Sequence, residues 1–174
     1  RGQAGTALDD AIHAGIEEGV SANPKLKIIG SVHGDWAEEA ARKAVAGVLP
    51  SLPEVKAVVT QGGEGTGVVE AFTAVGRPTP LITLGNHAEE LQWWKEQHDS
   101  SRYETMSVGV APGISTLAFW VAQQILDGQN VPHDLKAPLL EIDQKDLETT
   151  LVNTPKDGVA NFEYTLDDAR RMIA

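Results

Sequence analysis

Short apolar, β-branched runs alternate with amphipathic stretches along most of the chain, and each run breaks on a turn rich in glycine or polar residues. The clearest unit starts at Val58-Val59, continues through Thr60-Gln61-Gly62-Gly63-Glu64-Gly65-Thr66-Gly67, and resumes as a helix with Val68, Phe72 and Val75 at helical spacing. Gly76 and Pro78 close that helix. The same grammar predicts a strand over residues 26–33, a turn at Gly34-Asp35-Trp36, and a helix with Ala37, Ala40, Ala41, Ala44, Val45 and Val48 inward until Pro50. A third unit has a strand over 80–84, a turn at Gly85-Asn86-His87, and a helix carrying Leu91, Trp94 and His98 on one side with Trp93 beside them. A fourth has a strand over 103–110 with Met106, Val108 and Val110 alternating, then Ala111-Pro112-Gly113 and a strongly apolar helix of Ile114, Leu117, Ala118, Val121 and Ile125. Gly128 stops it.

Ahead of these, Thr6-Ala7-Leu8-Asp9 reads as a capping box for a first helix with Leu8, Ile12, Ile16 and Val20 as its stripe. After them, residues 139–142 predict a short strand and 143–151 a short acidic helix. Residues 154–174 are polar and irregular, with a last helical turn over 166–173.

Strand–turn–helix alternation with strands apolar on both faces predicts an α/β fold, a doubly wound and mainly parallel sheet with helices on both faces. The division expected is a ligand-binding lobe over residues 1–143 and an acidic carboxy-terminal tail over 144–174. In such a sheet the turns at the carboxyl ends of the strands gather on one rim, where ligands bind. The rim residues expected here are Asp9, Trp36, Gln61, Glu64, Asn86 and His87, together with bare peptide groups at 2–6 and 110–112. One aromatic plate among amides, carboxylates and peptides suits a neutral polyhydroxylated ligand. Its hydroxyls need donors and acceptors, and its C–H faces need an apolar surface.

Charge narrows the partners. With 25 acidic against 14 basic residues and a net charge of −11, the surface is unsuited to nucleic acid or anionic membrane. The absence of cysteine removes disulfides, cysteine metal sites and thiol nucleophiles. No apolar run approaches the ~18 residues that span a bilayer. The chain opens on Arg1-Gly2 without an initiator Met, and is expected to be a processed or truncated product.

Catalytic templates are missing. There is no G-x-x-x-x-G-K-[ST], G-x-S-x-G or H-E-x-x-H. Val68 stands where a dinucleotide fingerprint would need its third glycine, and Glu64 would repel a pyrophosphate. His87 with Glu89 and Glu90 reads as a solvated helix cap rather than a metal site. His33 beside Asp35 has the makings of a base and its orienter, with no nucleophile nearby in sequence. The expectation is a binding protein, not an enzyme, with no cofactor and no metal.

Taken in order, Gly5-Thr6 before the first helix, Gly34-Asp35-Trp36, the stretch 58–67, Pro80-Leu81-Ile82-Thr83-Leu84-Gly85-Asn86 and Gly128-Gln129-Asn130-Val131-Pro132 resemble the carboxy-terminal lobe of periplasmic sugar-binding proteins. These are the ribose-binding-like, type I solute receptors of ABC importers, and the resemblance covers roughly residues 1 to 150. It implies a two-lobed, extracytoplasmic receptor that closes on a sugar or polyol and hands it to a membrane permease. Trp36 falls where the family places an aromatic against the sugar ring.

Departures bear on the ligand. Where the family has Asn-Asp-Glu after its third strand, this chain has Gly62-Gly63-Glu64; where it has Phe-Asp after the fourth, this chain has Leu84-Gly85, with Asn86 next. Ile12 replaces an arginine of the first helix, and Val110 a glutamine of the last strand. Gln61, Glu64, Asn86 and His87 are the substitutes expected from position. The resemblance also implies an amino-terminal lobe and a central strand ending near Arg1-Gly2. The sheet is therefore expected to be completed by pairing, with a second copy or with a missing amino-terminal fragment. Two rivals stay open: the effector-binding core of a LacI-type transcription regulator, and a small α/β enzyme using His33, Asp35 and Glu64.

Overall fold

The structure is a computed structural model describing residues 1–174. It has seven α-helices: α1 (Ala7–Ser21), α2 (Glu38–Val48), α3 (Gly65–Ala74), α4 (Ala88–Ser101), α5 (Ile114–Leu126), α6 (Leu147–Val152) and α7 (Leu166–Ile173). Its four strands are β1 (Ala57–Val59), β2 (Leu81–Thr83), β3 (Ser107–Gly109) and β4 (Leu140–Ile142). β1 and β2 run parallel in the register Val58 to Ile82, and β3 pairs antiparallel with β4. A parallel bridge from Leu84 to Ser107 joins the two pairs into one surface in the order β1-β2-β3-β4. No helix is long and apolar enough to cross a membrane.

The core follows from the apolar spacing. Val68, Ala71 and Phe72 on α3 meet Val45 and Leu49 at the end of α2, then Ile82 and Leu84 of the second strand unit, then Leu91 and Trp94 of α4. Ile142, Leu147 and Ala160 close the same cluster, so the carboxy-terminal segment packs into the main core. A smaller cluster of Ala111, Leu117, Tyr164 and Ala169 holds α5 against α7. The expected last turn is the full helix α7, started by a complete capping box between Thr165 and Asp168.

Several expectations are corrected. The box expected at Thr6 is half formed: its hydroxyl accepts from Asp9 N, while the Asp9 carboxylate turns away to Arg1 and Gly2. Within the strand over 103–110, the fully buried side chain is Ser107, whereas Met106 and Val110 are exposed. Of the stripe expected on α5, Leu117 is buried, Ile114 and Val121 are half-buried, and Ala118 and Ile125 are exposed, as are Phe119 and Leu126 outside it. Residues 26–33 form no strand. Residues 27–31 make no backbone hydrogen bond at all, because no neighbouring strand lies beside them. Only their end is tied, where Arg1 donates its N–H to Val32 O at 2.8 Å and accepts from Gly34 N at 2.7 Å.

Where β3 diverges from β2, side chains stand in for the ladder. The Tyr103 hydroxyl accepts the N–H of Ile82 and donates to the carbonyl of Pro80, both at 2.8 Å, and Thr105 Oγ1 donates to Ile82 O. Burial pushes the Tyr103 phenol above its usual pKa. Tyr103→Phe should therefore leave the Ile82 N–H unpaired at a cost of about 1–3 kcal/mol, read from the shift in urea midpoint. An unchanged midpoint would mean the hydroxyl is dispensable to β2.

Candidate functional site

The expected turns do meet on one rim. On it lies Trp36, half-buried, with its indole packed against the backbone of Gly2, where any side chain would collide with the ring. Asp35 and Trp36 both adopt left-handed φ, 53° and 55°, a conformation that costs non-glycine residues energy and lifts the indole out of its own helix. The Trp36 Nε1–H donates to Gln61 Oε1 at 3.2 Å, and Gly2 N donates to the same oxygen at 3.0 Å. One glutamine thus joins the turn before α1, the turn before α2 and the turn before α3.

Asp9 lies beneath them, fully buried. Its carboxylate accepts from Arg1 Nη2 at 2.7 Å and from Gly2 N at 2.8 Å, and its carbonyl takes Gln61 Nε2 at 3.4 Å. The Arg1 hydrogen bonds hold the Asp9 carboxyl below the ordinary aspartate range. His33 donates Nδ1–H to Gly2 O at 2.8 Å, and about two-fifths of its side chain is exposed.

Glu64 is the second buried carboxylate. Oε2 accepts from Gln61 N at 2.8 Å and Gly62 N at 3.1 Å. Oε1 faces Gly34 and the backbone of Trp36 without a well-formed hydrogen bond. Burial raises the Glu64 pKa above its ordinary 4.5, opposed by those peptide N–H groups and the Arg1 ammonium.

Asn86 is also buried, with Nδ2 donating to Ala160 O at 3.0 Å and Val110 O at 3.4 Å. It fastens the segment around Ala160, which bridges antiparallel to His87 through Val159. His87 itself is half-exposed and N-caps α4 beside Gly63. Gly63, itself buried, lies between the backbone carbonyl of Trp36 and the ring of His87.

Of the six side chains expected at the rim, Trp36, Gln61 and His87 reach its surface. The polar groups of Asp9, Glu64 and Asn86 are turned to backbone donors and acceptors beneath it. The group that sequence reasoning missed is Glu90, fully buried rather than solvated as the second acid of α4. Nothing in the linear pattern separates it from the exposed Glu89 beside it. No set of three or more His, Asp and Glu side chains is placed to hold a metal. A separate cleft of about 450 Å³ lies beside Pro112, Asn153, Pro155 and Asn161, away from Trp36.

The opposite signs at Asp9 and Glu64 predict a pH signature. A carboxyl whose folded pKa is depressed supports folding above its unfolded pKa and loses that support as acid titrates it; one whose folded pKa is raised weakens folding as pH climbs past 4.5. Glu64→Gln should remove the second effect alone. Urea unfolding free energy would then fall less between pH 4.5 and 7 in the variant than in the parent, and parallel curves would refute the assignment.

Comparison with known proteins bears on the fold. A family model described as "Periplasmic binding protein domain" matches residues 1–130. A solved ABC transporter solute binding protein from Thermobispora bispora superposes with a TM-score of 0.82 at 29% identity, covering 99% of this chain and 53% of its own. A Mycobacterium smegmatis protein in complex with β-D-fucofuranose gives 0.69 at 24% identity, covering 88% and 50%. A periplasmic solute binding protein of an ABC transporter from Actinobacillus succinogenes, with bound D-allose, gives 0.67 at 15% identity, covering 85% and 52%. No curated protein sequence matches. The chain spans about half the length of these solved proteins, the first by 53%. With its strand–turn–helix order, its convergent rim and a family match over most of its length, the chain belongs to the periplasmic binding protein domain family.

Proposed function

We propose that this chain is one lobe of the solute-binding component of an ABC importer, acting outside the cytoplasm and taking a neutral sugar or polyol. The observation that carries the reading is Trp36, a half-buried indole held at the rim by Gly2 and Gln61, with His87 on the far side of Gly63. An aromatic face accepts the C–H side of a pyranose or furanose ring, while Gln61, His87 and nearby peptide groups meet its hydroxyls. Asp9, Glu64 and Asn86 serve as props for those groups. The bound sugars of the Mycobacterium smegmatis and Actinobacillus succinogenes proteins support the ligand class. The exposed rim also suits one wall of a two-walled cleft, and a membrane permease is the implied recipient. The reading is of reversible binding, in keeping with the family match.

The unpaired residues 27–31 and the exposed Ile28, Ile29 and Val59 support a further element of the proposal, pairing with a second copy or with an amino-terminal fragment. Sedimentation should show self-association or capture of such a fragment, and a stable monomer indifferent to both would argue against it.

A panel of pentoses, hexoses and polyols should include one that raises the thermal midpoint. Ligand at a hundred times its dissociation constant stabilises by ~2.7 kcal/mol. Trp36→Ala should abolish that shift while leaving the unliganded midpoint near the parent value. A sugar response unchanged in Trp36→Ala would remove the indole from the site.

A further inference from the structure

Glu90 sits in the first turn of α4, two positions into the helix, beside an exposed Glu89. Acids there are ordinarily solvated, yet Glu90 is fully buried and no Lys, Arg or His approaches it. Its partners are three peptide donors. Gly65 N donates to Oε1 at 2.9 Å, Gly85 N to Oε1 at 3.2 Å, and Gly63 N to Oε2 at 3.1 Å. Gly63 and Gly65 belong to the turn between β1 and α3, and Gly85 to the turn between β2 and α4. Gly65 is also the first residue of α3, so the carboxylate occupies the electropositive end of that helix as well as its own.

The glycines corroborate the arrangement. Neither Gly65 nor Gly85 has positive φ, so backbone conformation does not demand glycine at either position. Space does: a Cβ at Gly65 would stand 2.6 Å from both Glu90 Oε1 and Leu84 Cδ2, and one at Gly85 would stand 2.6 Å from both Glu90 Oε2 and the Cα of Gly62. At each position the bare backbone leaves room for the carboxylate together with its packing neighbours.

We infer that Glu90 is a positioning residue for the ligand rim, an internal anion that locks the turn bearing Gln61 and Gly63 to the turn bearing Asn86 and His87. It fills from inside the strand–turn–helix junction at which other α/β proteins bind phosphate, and so bars anionic ligand groups from that junction. The rim it sets is thereby reserved for neutral ligands, an extension that rests on the sugar-binding reading above; the locking itself does not.

Chemical rescue tests it. Glu90→Ala leaves three convergent N–H groups around a carboxylate-sized space. Its thermal midpoint should fall and should recover, saturably, with millimolar formate or acetate but not with chloride at the same ionic strength; the parent should ignore all three salts. The affinity for whichever sugar stabilises the parent should fall by roughly tenfold or more, as when outer supports of other sites are removed, and return with formate. Glu90→Gln, which fills the space but turns an amide toward the donors, should lose affinity without formate rescue. If Glu90→Ala does not fold, this variant carries the test through the amide resonances of Gly63, Gly65 and Gly85. Gly65→Ala should also be costlier in the parent than in Glu90→Ala. A Glu90→Ala midpoint insensitive to formate, or parent-like behaviour of Glu90→Gln, overturns the inference. Formate rescue of stability with no sugar response in any variant upholds the lock and overturns the sugar reading.

Discussion

A carboxylate without a counter-ion is the constraint on which the rim of this molecule depends. Burying an unpaired charge in a low-dielectric interior is costly, and peptide N–H groups are the compensation the fold supplies to Glu90. Those donors belong to turns that must leave their helices and strands at fixed angles to reach one side chain. The geometry of the turns is therefore set by a buried electrostatic requirement and not by the flexibility that a run of glycines suggests.

The same device recurs across the rim. Asp9 gathers Arg1 and Gly2 ahead of α1, and Glu64 gathers Gln61 and Gly62 in the turn after β1. Peptide donors near the amino-termini of helices are natural partners for anions, which lets an acidic chain use its carboxylates as internal fasteners. Only Asp9 among the three also has a full cationic partner, and its acidity is correspondingly strengthened, whereas burial dominates at Glu64. Beneath the rim, Phe72, Leu91 and Trp94 supply apolar bulk that keeps the fasteners dry.

The outward layer is different in kind. Trp36 has a strained backbone and a half-exposed indole, and its neighbours Gln61 and His87 keep part of their hydrogen-bonding capacity toward solvent. Rigid support under a sparse, adaptable surface is the organisation a reversible binding site needs, because loops ordered in advance lose less entropy when a ligand arrives. The placement of Trp36 and His87 on either side of Gly63 is the product of that support.

The linear pattern by itself determined the helices, the strand–turn–helix order and the location of the rim. Helical spacing and turn residues are local signals, and Val68, Phe72, Leu91 and Trp94 lie in the core as their spacing indicates. The pattern also pointed to Trp36, because an aromatic placed in a turn has no helix stripe to join. Tertiary structure alone decided which polar residues reach the rim surface and which face inward. Asp9, Glu64 and Asn86 look like Gln61 and His87 in sequence, and the difference lies in where peptide donors from distant turns converge. Glu89 and Glu90 are adjacent and identical, yet one is solvated and the other buried, since a helix rotates each successive side chain by about 100°. Whether residues 26–33 become a strand was likewise beyond local reading, for a strand exists only where a neighbour accepts and donates its hydrogen bonds.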